Sequence, residues 1–171
     1  MKKIQTSMCH NNVRHCWSVS IFLLALIIVL SGCEGSYWSP RAPKNEDELA
    51  KKFQPETNSA CIYVYRPSAL EFPRAIFLYN DGAFVASPKG GSFIRLLVTP
   101  GNHVIGTKSP SARSLQDTLA VVADAGNLYY AEVSYRAGGV TGDSQKLRLV
   151  DEGAAQKEIR GYELLSIGPL K

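Results

Sequence analysis

Histidine, serine and acidic side chains are the residues of this sequence whose types suit nucleophilic catalysis. His103 is the only histidine beyond residue 15, so a Ser/His/Asp triad would have to use it, with Ser92 or Ser111 and a distant acid. No serine has the flanking glycines of a nucleophile elbow. The pattern therefore favours a ring that is hydrogen-bonded or solvated at the start of a strand, and a hydrolase using His103 is the alternative.

Metal, phosphate and thiol chemistry have little support in the sequence. One histidine and one cysteine, Cys61, are too few ligands for zinc, so we expect no metal and no cofactor. Lys89-Gly90-Gly91-Ser92 lacks the spacing of a phosphate-binding loop and predicts a hairpin turn. The apolar neighbours of Cys61 favour a small buried hydrophobe, and a reactive thiol or an intermolecular disulfide is the alternative.

Aromatic and arginine side chains are the third candidate chemistry. An exposed set of tyrosines beside arginines would bind a glycan or a partner protein, and its candidate residues are Tyr65, Arg66, His103 and Tyr130. Packing in the core is the competing interpretation of the tyrosines. Arg66, which precedes Pro67, is most simply the last residue of its strand, paired with a nearby acid.

The stretch 14–33 has the features of a secretory leader. Lys2, Lys3 and Arg14 supply positive charge before the apolar run 21–30, and no acidic residue occurs before Glu34. A helix that crosses a membrane needs ~20 apolar residues, so this run is short for an anchor. An uncleaved short transmembrane helix and an ordinary secretory signal are the alternatives.

Leu30-Ser31-Gly32-Cys33 resembles the bacterial lipobox, in which a signal peptidase cuts just before a cysteine. The resemblance implies cleavage between Gly32 and Cys33, a diacylglycerol on the Cys33 sulfur and an acylated new N-terminus, with the bilayer as partner. Each buried methylene contributes ~0.8 kcal/mol, and stable anchoring takes at least two chains. Glu34 rather than Asp follows Cys33, which by resemblance to lipoprotein sorting in Gram-negative cells favours the outer membrane, facing the periplasm, over the inner membrane.

Charge and composition bound the segment that follows the leader. Three of the 19 basic residues precede the predicted cleavage point, which leaves 16 basic and 15 acidic residues after it. This balance does not indicate the clustered basic face of a nucleic-acid-binding protein, so we expect no nucleic-acid partner. The Pro-, Ser-, Asn- and Glu-containing residues 33–59 predict a flexible tether, with a short helical turn over 45–53 capped by Asn45. Residues 60–171 predict one domain.

Short apolar segments separated by turn residues dominate this domain. Asp81-Gly82 and Pro100-Gly101 are typical of tight turns between strands. A helix is predicted over 152–165, with Asp151 as its cap. The fold class is therefore mainly β, an antiparallel β-sandwich of about seven or eight strands with a C-terminal helix, preceded by a cleaved signal peptide. The predicted strands are 60–66, 75–79, 83–86, 92–98, 102–108, 117–123, 127–135 and 145–151.

Four motifs in a fixed order carry a resemblance to a known family. They are Val64-Tyr65-Arg66-Pro67, Asn80-Asp81-Gly82, Thr99-Pro100-Gly101-Asn102-His103 and Gly126-Asn127-Leu128-Tyr129-Tyr130. Together they resemble a domain of unknown function that many proteobacterial lipoproteins and small secreted proteins carry, over roughly residues 60–150. The resemblance implies a small β-sandwich and no established activity.

Two functional hypotheses follow from these patterns. The first is a membrane-anchored lipoprotein of the bacterial envelope that acts as a binding or structural accessory module without catalysis. The second is an envelope hydrolase or glycan-processing enzyme that uses His103. The enzyme requires a concave pocket in which His103 faces a hydroxyl or carboxylate, whereas the binding module requires an exposed flat or grooved patch.

Overall fold

Nine strands and two helices occupy residues 37–68, 75–136 and 144–168, which a computed structural model describes. All of these residues belong to one compact unit, Ser36–Lys171. The helices are α1 (Lys44–Ala50) and α2 (Glu152–Ile159). The strands are β1 (Ala60–Arg66), β2 (Phe77–Asn80), β3 (Ala83–Ala86), β4 (Ser92–Val98), β5 (Gly101–Lys108), β6 (Asp117–Ala123), β7 (Leu128–Arg136), β8 (Ser144–Leu149) and β9 (Glu163–Leu164).

The leader prediction concerns residues that the structure does not describe. The cleavage point between Gly32 and Cys33, the lipidation of Cys33 and the sorting residue Glu34 all lie outside the described ranges. Within those ranges, no helix combines the length and the apolar character that a membrane crossing requires.

The strands form two sheets with an apolar core between them. The five-stranded sheet has the order β8-β7-β1-β4-β9, and the four-stranded sheet has the order β3-β2-β5-β6. Ile62 and Ile94 from the first sheet share one buried cluster with Leu78 and Ile105 from the second. The predicted mainly β sandwich is therefore confirmed, with nine strands in the described residues instead of seven or eight.

Two parallel pairs depart from the antiparallel pattern. β1 pairs with β7 in parallel, and β4 pairs with β9 in parallel, whereas the other neighbouring strands are antiparallel. β7 follows β6 of the four-stranded sheet, so the chain re-enters the five-stranded sheet through a crossover. A crossover permits parallel pairing, which a two-residue hairpin does not.

β1 lies at the centre of the five-stranded sheet and is buried along its whole length. Side chains of a strand alternate between its two faces, so Ile62 and Val64 face the sandwich core while Tyr63 faces the opposite side. Tyr63 lies there in an aromatic layer, with its ring centroid 5.3 Å from that of Tyr130 and 5.4 Å from that of Phe53. The layer also contains residues of the two helical segments, including Ala50 and Ile159. This second apolar face explains why the β1 sequence has no polar side.

The expected flexible tether over 33–59 is corrected in its described part, residues 37–59. Ala50 and Phe53 are buried in the aromatic layer, so this segment packs on the domain. The amide of Ala42 donates to the carbonyl of Leu164 at 2.9 Å, and the amide of Leu164 donates to Asp47 Oδ1 at 2.8 Å. A few well-placed apolar side chains order the segment despite its polar average composition. α1 also begins after Pro43, without the predicted Asn45 cap.

The C-terminal helix is shorter than predicted. It starts after Asp151, whose Oδ1 accepts a hydrogen bond from the amide of Ala154 at 3.1 Å, as the sequence indicates. It ends at Ile159 instead of residue 165, because glycine at 161 disfavours helix continuation and the chain then enters β9. The eight predicted strands agree with β1–β8 to within two residues at each end.

Candidate functional site

His103 lies near the start of β5 and bonds through both ring nitrogens. Its Nδ1 is 2.7 Å from Asp81 Oδ2, and its Nε2 is 2.8 Å from the carbonyl oxygen of Thr99. Both partners are acceptors, so the two bonds form together only when the ring is doubly protonated. The hydrogen bond that His103 donates to Asp81 is the main cause that raises the pKa of His103, and the hydrogen bonds that Asp81 accepts from the Val104 amide and then from His103 lower the pKa of Asp81.

This pair connects two turns and leaves the ring no contact with the candidate nucleophiles. Asp81 has a φ of 50° in the turn between β2 and β3, and Thr99 precedes β5. The hydroxyl of Ser92 donates instead to the carbonyl of Lys89 at 2.7 Å, and Ser111 is an exposed turn residue. The structure therefore does not bring His103 together with either serine that the sequence suggested.

The predicted binding set of Tyr65, Arg66, His103 and Tyr130 does not form an exposed patch. All four are buried, and His103 belongs to the other sheet from the remaining three. The hydroxyl of Tyr65 donates to Glu132 Oε2 at 3.2 Å, and Gln156 Nε2 donates to the hydroxyl of Tyr130 at 2.8 Å. Burial raises the pKa of Tyr130 to about 12. The two tyrosines are core residues because helical segments cover their face of β1 and β7.

Arg66 and Cys61 lie at opposite ends of β1, and both side chains are buried within the fold. Arg66 Nη1 donates to the carbonyl of Pro88 at 3.0 Å, its guanidinium lies 5.8 Å from the ring centroid of Trp38, and burial lowers its pKa. Cys61 is a free thiol buried in the aromatic layer, as predicted, and burial raises its pKa to about 11. A thiolate at neutral pH is disfavoured there, so the structure does not support the reactive-thiol alternative.

A concave surface lies between α1, β4 and the segment after β9, and we call it the edge groove. Its volume is about 590 Å³. It is lined by Pro43, Glu46, Leu49, Ala50, Gln54, Glu56, Arg95, Leu164, Leu165, Ser166 and Ile167.

The lining of the edge groove is mixed, with apolar and polar side chains contributing to a similar extent. Leu164 and Leu165 are buried, whereas Leu49 is 57% exposed and Ile167 is 54% exposed. Arg95 Nη2 donates to Glu56 Oε1 at 2.8 Å, so these two charges compensate each other. Glu46 makes no ion pair with another of the described residues, which leaves the lining with one uncompensated carboxylate.

One wall of the edge groove is an open strand edge. β4 pairs with β1 from Ser92 to Val98, but its pairs with β9 are only Ser92 with Glu163 and Phe93 with Leu164. Beyond Phe93, no described strand pairs with β4 on the side opposite β1. Within the described residues, the edge from Arg95 onward is therefore unpaired, and such an edge can pair with another chain.

A second exposed surface is the outer side of the four-stranded sheet. Phe77 and Tyr79 lie there beside Phe84, with ring centroids 5.7 and 5.8 Å from that of Phe84. Val104 and Val122 extend the apolar character across β5 and β6. None of these residues lines the edge groove.

Sequence reasoning missed both surfaces. Leu49 lies in the segment assigned to a tether, and Ile167 lies beyond the predicted helix. The alternation of Phe77, Leu78 and Tyr79 in β2 did carry a signal, since an apolar strand with aromatic residues on both sides of a buried leucine indicates one outward apolar face.

Comparison of the chain with known protein families and with curated protein sequences found no match. No cluster of three or more His, Cys, Asp or Glu side chains that would hold a metal ion occurs in the part of the chain that the structure describes. The geometry of the described residues is therefore the basis of the functional proposal.

Proposed function

We propose that the chain is a lipid-anchored protein of the bacterial envelope that binds a partner protein through the edge groove and catalyses no reaction. The observation that carries the proposal is the groove itself, a concave surface in which exposed leucine and isoleucine side chains lie beside a strand edge that no described strand covers and a carboxylate that forms no ion pair with another described residue. Exposed apolar side chains that converge on a concavity are typical of protein interaction sites. The occupation of both ring nitrogens of His103 by Asp81 and Thr99 gives the enzyme hypothesis less support.

The lipid anchor in this proposal is Cys33. Its support is the leader charge, the apolar run 21–30 and the lipobox resemblance of Leu30-Ser31-Gly32-Cys33. Only residues 34–36 separate Cys33 from the first described residue, so the proposed anchor keeps the domain near the bilayer. Glu34 supports the outer membrane, facing the periplasm, as its location.

The anchor is tested by a cysteine substitution with a matched control. Cys33→Ser is expected to accumulate as a full-length precursor without acyl groups, because the variant lacks the sulfur that takes the diacylglycerol. Cys16→Ser, which also changes a leader cysteine, is expected to be processed normally. The measurement is the intact mass of the protein after growth with a clickable palmitate analogue. A wild-type product that retains residues 1–32 or lacks acyl mass would contradict the proposed lipid anchor at Cys33.

The binding role is tested by crosslinking in intact envelopes with the lipidated full chain. Leu49→Asp places a charge at the rim of the groove, and we expect it to abolish the crosslinked protein species that the wild type forms. Val104→Asp places the same charge on the outer side of the four-stranded sheet and is expected to keep that species. Equal crosslinking by both variants, or a wild type that crosslinks to no protein, contradicts the proposal.

A further inference from the structure

We propose that the edge groove takes an extended peptide segment of its partner, which adds as a strand to the free edge of β4. The segment places apolar side chains against the groove wall and a basic side chain near Glu46. This inference deepens the proposed function and rests on it only in assigning the groove as the binding surface.

The first step of the argument is the direction of the β4 backbone groups. The amide of Cys61 donates to Asn127 on the β7 side at 3.0 Å, so the alternate residues Ala60, Ile62 and Val64 direct their N–H and C=O groups toward β4. On the other side of β4, the carbonyl of Phe93 accepts from the amide of Leu165 at 2.9 Å. The same alternation directs the N–H and C=O groups of Arg95 and Leu97 away from β1.

The second step is the departure of the chain after β9. The amide of Leu165 still bonds to β4, but the amide of Ser166 donates to the carbonyl of Pro40 at 2.9 Å. The amide of Gly168 then donates to the carbonyl of Val85, which belongs to β3 of the other sheet. The segment therefore diverges from β4, and the groove opens where the parallel ladder stops.

The third step concerns the side chains next to that edge. Leu97 lies on the same face of β4 as Phe93 and Arg95, and it is 54% exposed. Leu49 and Ile167 supply exposed apolar surface in the groove lining, and Leu97 supplies more of it on β4, two residues beyond the lining residue Arg95. A strand added at this edge would direct alternate side chains toward these residues, which selects a peptide with apolar residues at every second position.

The fourth step is the charge of the groove. Glu56 is paired with Arg95 at 2.8 Å, whereas Glu46 pairs with no other described residue and is exposed. A cationic side chain of the peptide therefore gains an unpaired carboxylate as its partner, and an acidic one is repelled. A docked helix fits these observations less well, because it would satisfy none of the free backbone groups of β4.

The probe is a fluorescent seven-residue peptide, acetylated and amidated, in which leucine alternates with threonine between two terminal lysines. Its binding to the full lipidated protein in detergent is measured by fluorescence anisotropy. We expect saturable binding, and no saturation up to ~1 mM overturns the inference. Exchanging the terminal lysines for glutamates is expected to weaken binding about tenfold.

Backbone methylation separates strand addition from side-chain contact alone. Two versions of the peptide carry N-methyl groups on the leucine amides or on the threonine amides, which point to opposite edges of an extended strand. We expect one version to bind at least about tenfold more weakly and the other to bind like the parent, and the sensitive version reports the strand direction. Equal binding of both methylated versions and the parent contradicts strand addition.

A proline substitution removes one free amide of β4 without touching its pairing to β1. Leu97→Pro is expected to weaken peptide binding about tenfold. The control is Val122→Pro on β6, an edge strand of the other sheet, where Val122 is 66% exposed and its amide points away from β5 by the same alternation. Unchanged peptide affinity in Leu97→Pro, with folding checked by circular dichroism, contradicts the inference.

A charge exchange keeps the inference testable if the proline variant fails to fold. Glu46→Lys is expected to reverse the preference, so that the glutamate-ended peptide binds about tenfold better than the lysine-ended one. An unchanged preference would show that Glu46 does not contact the charged ends of the peptide, which contradicts the placement of a basic side chain near Glu46. Crosslinking to an envelope protein that Leu49→Asp abolishes, together with absent peptide binding, would refute strand addition while leaving the proposed function in place.

Discussion

At the scale of single residues, the pair of His103 and Asp81 shows how one polar contact secures two turns. Asp81 accepts from His103 through Oδ2 and from the amide of Val104 through Oδ1, at 2.7 and 2.8 Å. The sequence predicted a ring that is hydrogen-bonded or solvated, and the structure has a hydrogen-bonded one. It did not predict the partner, because an Asp-Gly turn selects aspartate for its positive φ and gives no signal of a distant contact.

The protonation of this pair predicts a pH dependence of stability. The pKa of His103 is raised above its ordinary 6.5. The stability that its charged form adds is therefore fully present below pH 6.5 and is lost as the pH rises through the raised pKa. The pKa of Asp81 is lowered below 3.8, so its contribution is complete above that value and is lost on further acidification. The pair therefore stabilises the fold most between about pH 4 and pH 6.5.

The check is urea unfolding of the wild type and His103→Gln at pH 5.5 and 8.5. We expect His103→Gln to lower the free energy of unfolding by about 1 kcal/mol at pH 5.5, a modest loss because Asp81 is half-exposed and its charge is screened. At pH 8.5 we expect a smaller loss, because the wild-type ring carries less charge there. A loss that is equal at the two pH values would show that the charge of the ring contributes nothing.

At the scale of elements, turn residues determined most of what the sequence could predict. Asp81 and Gly82 have φ values of 50° and 82°, the positive pair that the β2–β3 hairpin requires. α1 was predicted as a short helical turn over 45–53, with the wrong cap, whereas β9 was missed. The two residues of β9 carry too little periodicity to predict, and β9 is held by its pairing with β4, which is distant in the sequence.

Phe53, at the end of the α1 segment, combines a favourable contact with an unfavourable backbone. Its φ of 50° lies in the left-handed region, which normally selects glycine. Its ring nevertheless packs at 5.4 Å from Tyr63 and at 6.3 Å from Tyr130. Packing of the ring therefore outweighs the strain of the backbone.

Because of this conflict, we expect glycine at position 53 to give a more stable protein than alanine, the reverse of the usual order. Phe53→Ala is expected to cost about 3 kcal/mol in the free energy of unfolding because it removes a buried ring. Phe53→Gly also removes the ring but relieves the positive φ, so we expect it to be about 1 kcal/mol more stable than Phe53→Ala. Guanidinium unfolding measures both, with exposed Leu49→Ala as a control that changes little. Phe53→Gly less stable than Phe53→Ala would contradict the backbone argument.

At the scale of the whole molecule, the fold has an apolar layer on each face of the five-stranded sheet. Local patterns predicted the sandwich, because alternating strands and turns specify strands whatever their pairing. They could not predict the parallel pairs of β1 with β7 and β4 with β9, which depend on the route of the chain between sheets. The edge groove could not be predicted either, because its lining residues come from three separate parts of the sequence.

The packing of residues 37–59 predicts that the domain depends on them for stability. A tether can be deleted without effect, whereas this segment contributes Ala50 and Phe53 to the aromatic layer and an acceptor, the backbone carbonyl of Ala50, to the hydroxyl of Tyr63 at 2.8 Å. Deletion of residues 37–59 from the lipidated chain would uncover Tyr63 and Tyr130. We expect the free energy of unfolding to fall by about 3–6 kcal/mol, since two buried side chains and a buried hydrogen bond are lost. Thermal unfolding and binding of an apolar dye measure the effect, and glycine–serine replacement of the exposed residues 57 and 58 is the control. A deletion variant that melts with the wild type and binds no dye would restore the tether interpretation, and it would remove α1, one wall of the edge groove, from the folded domain.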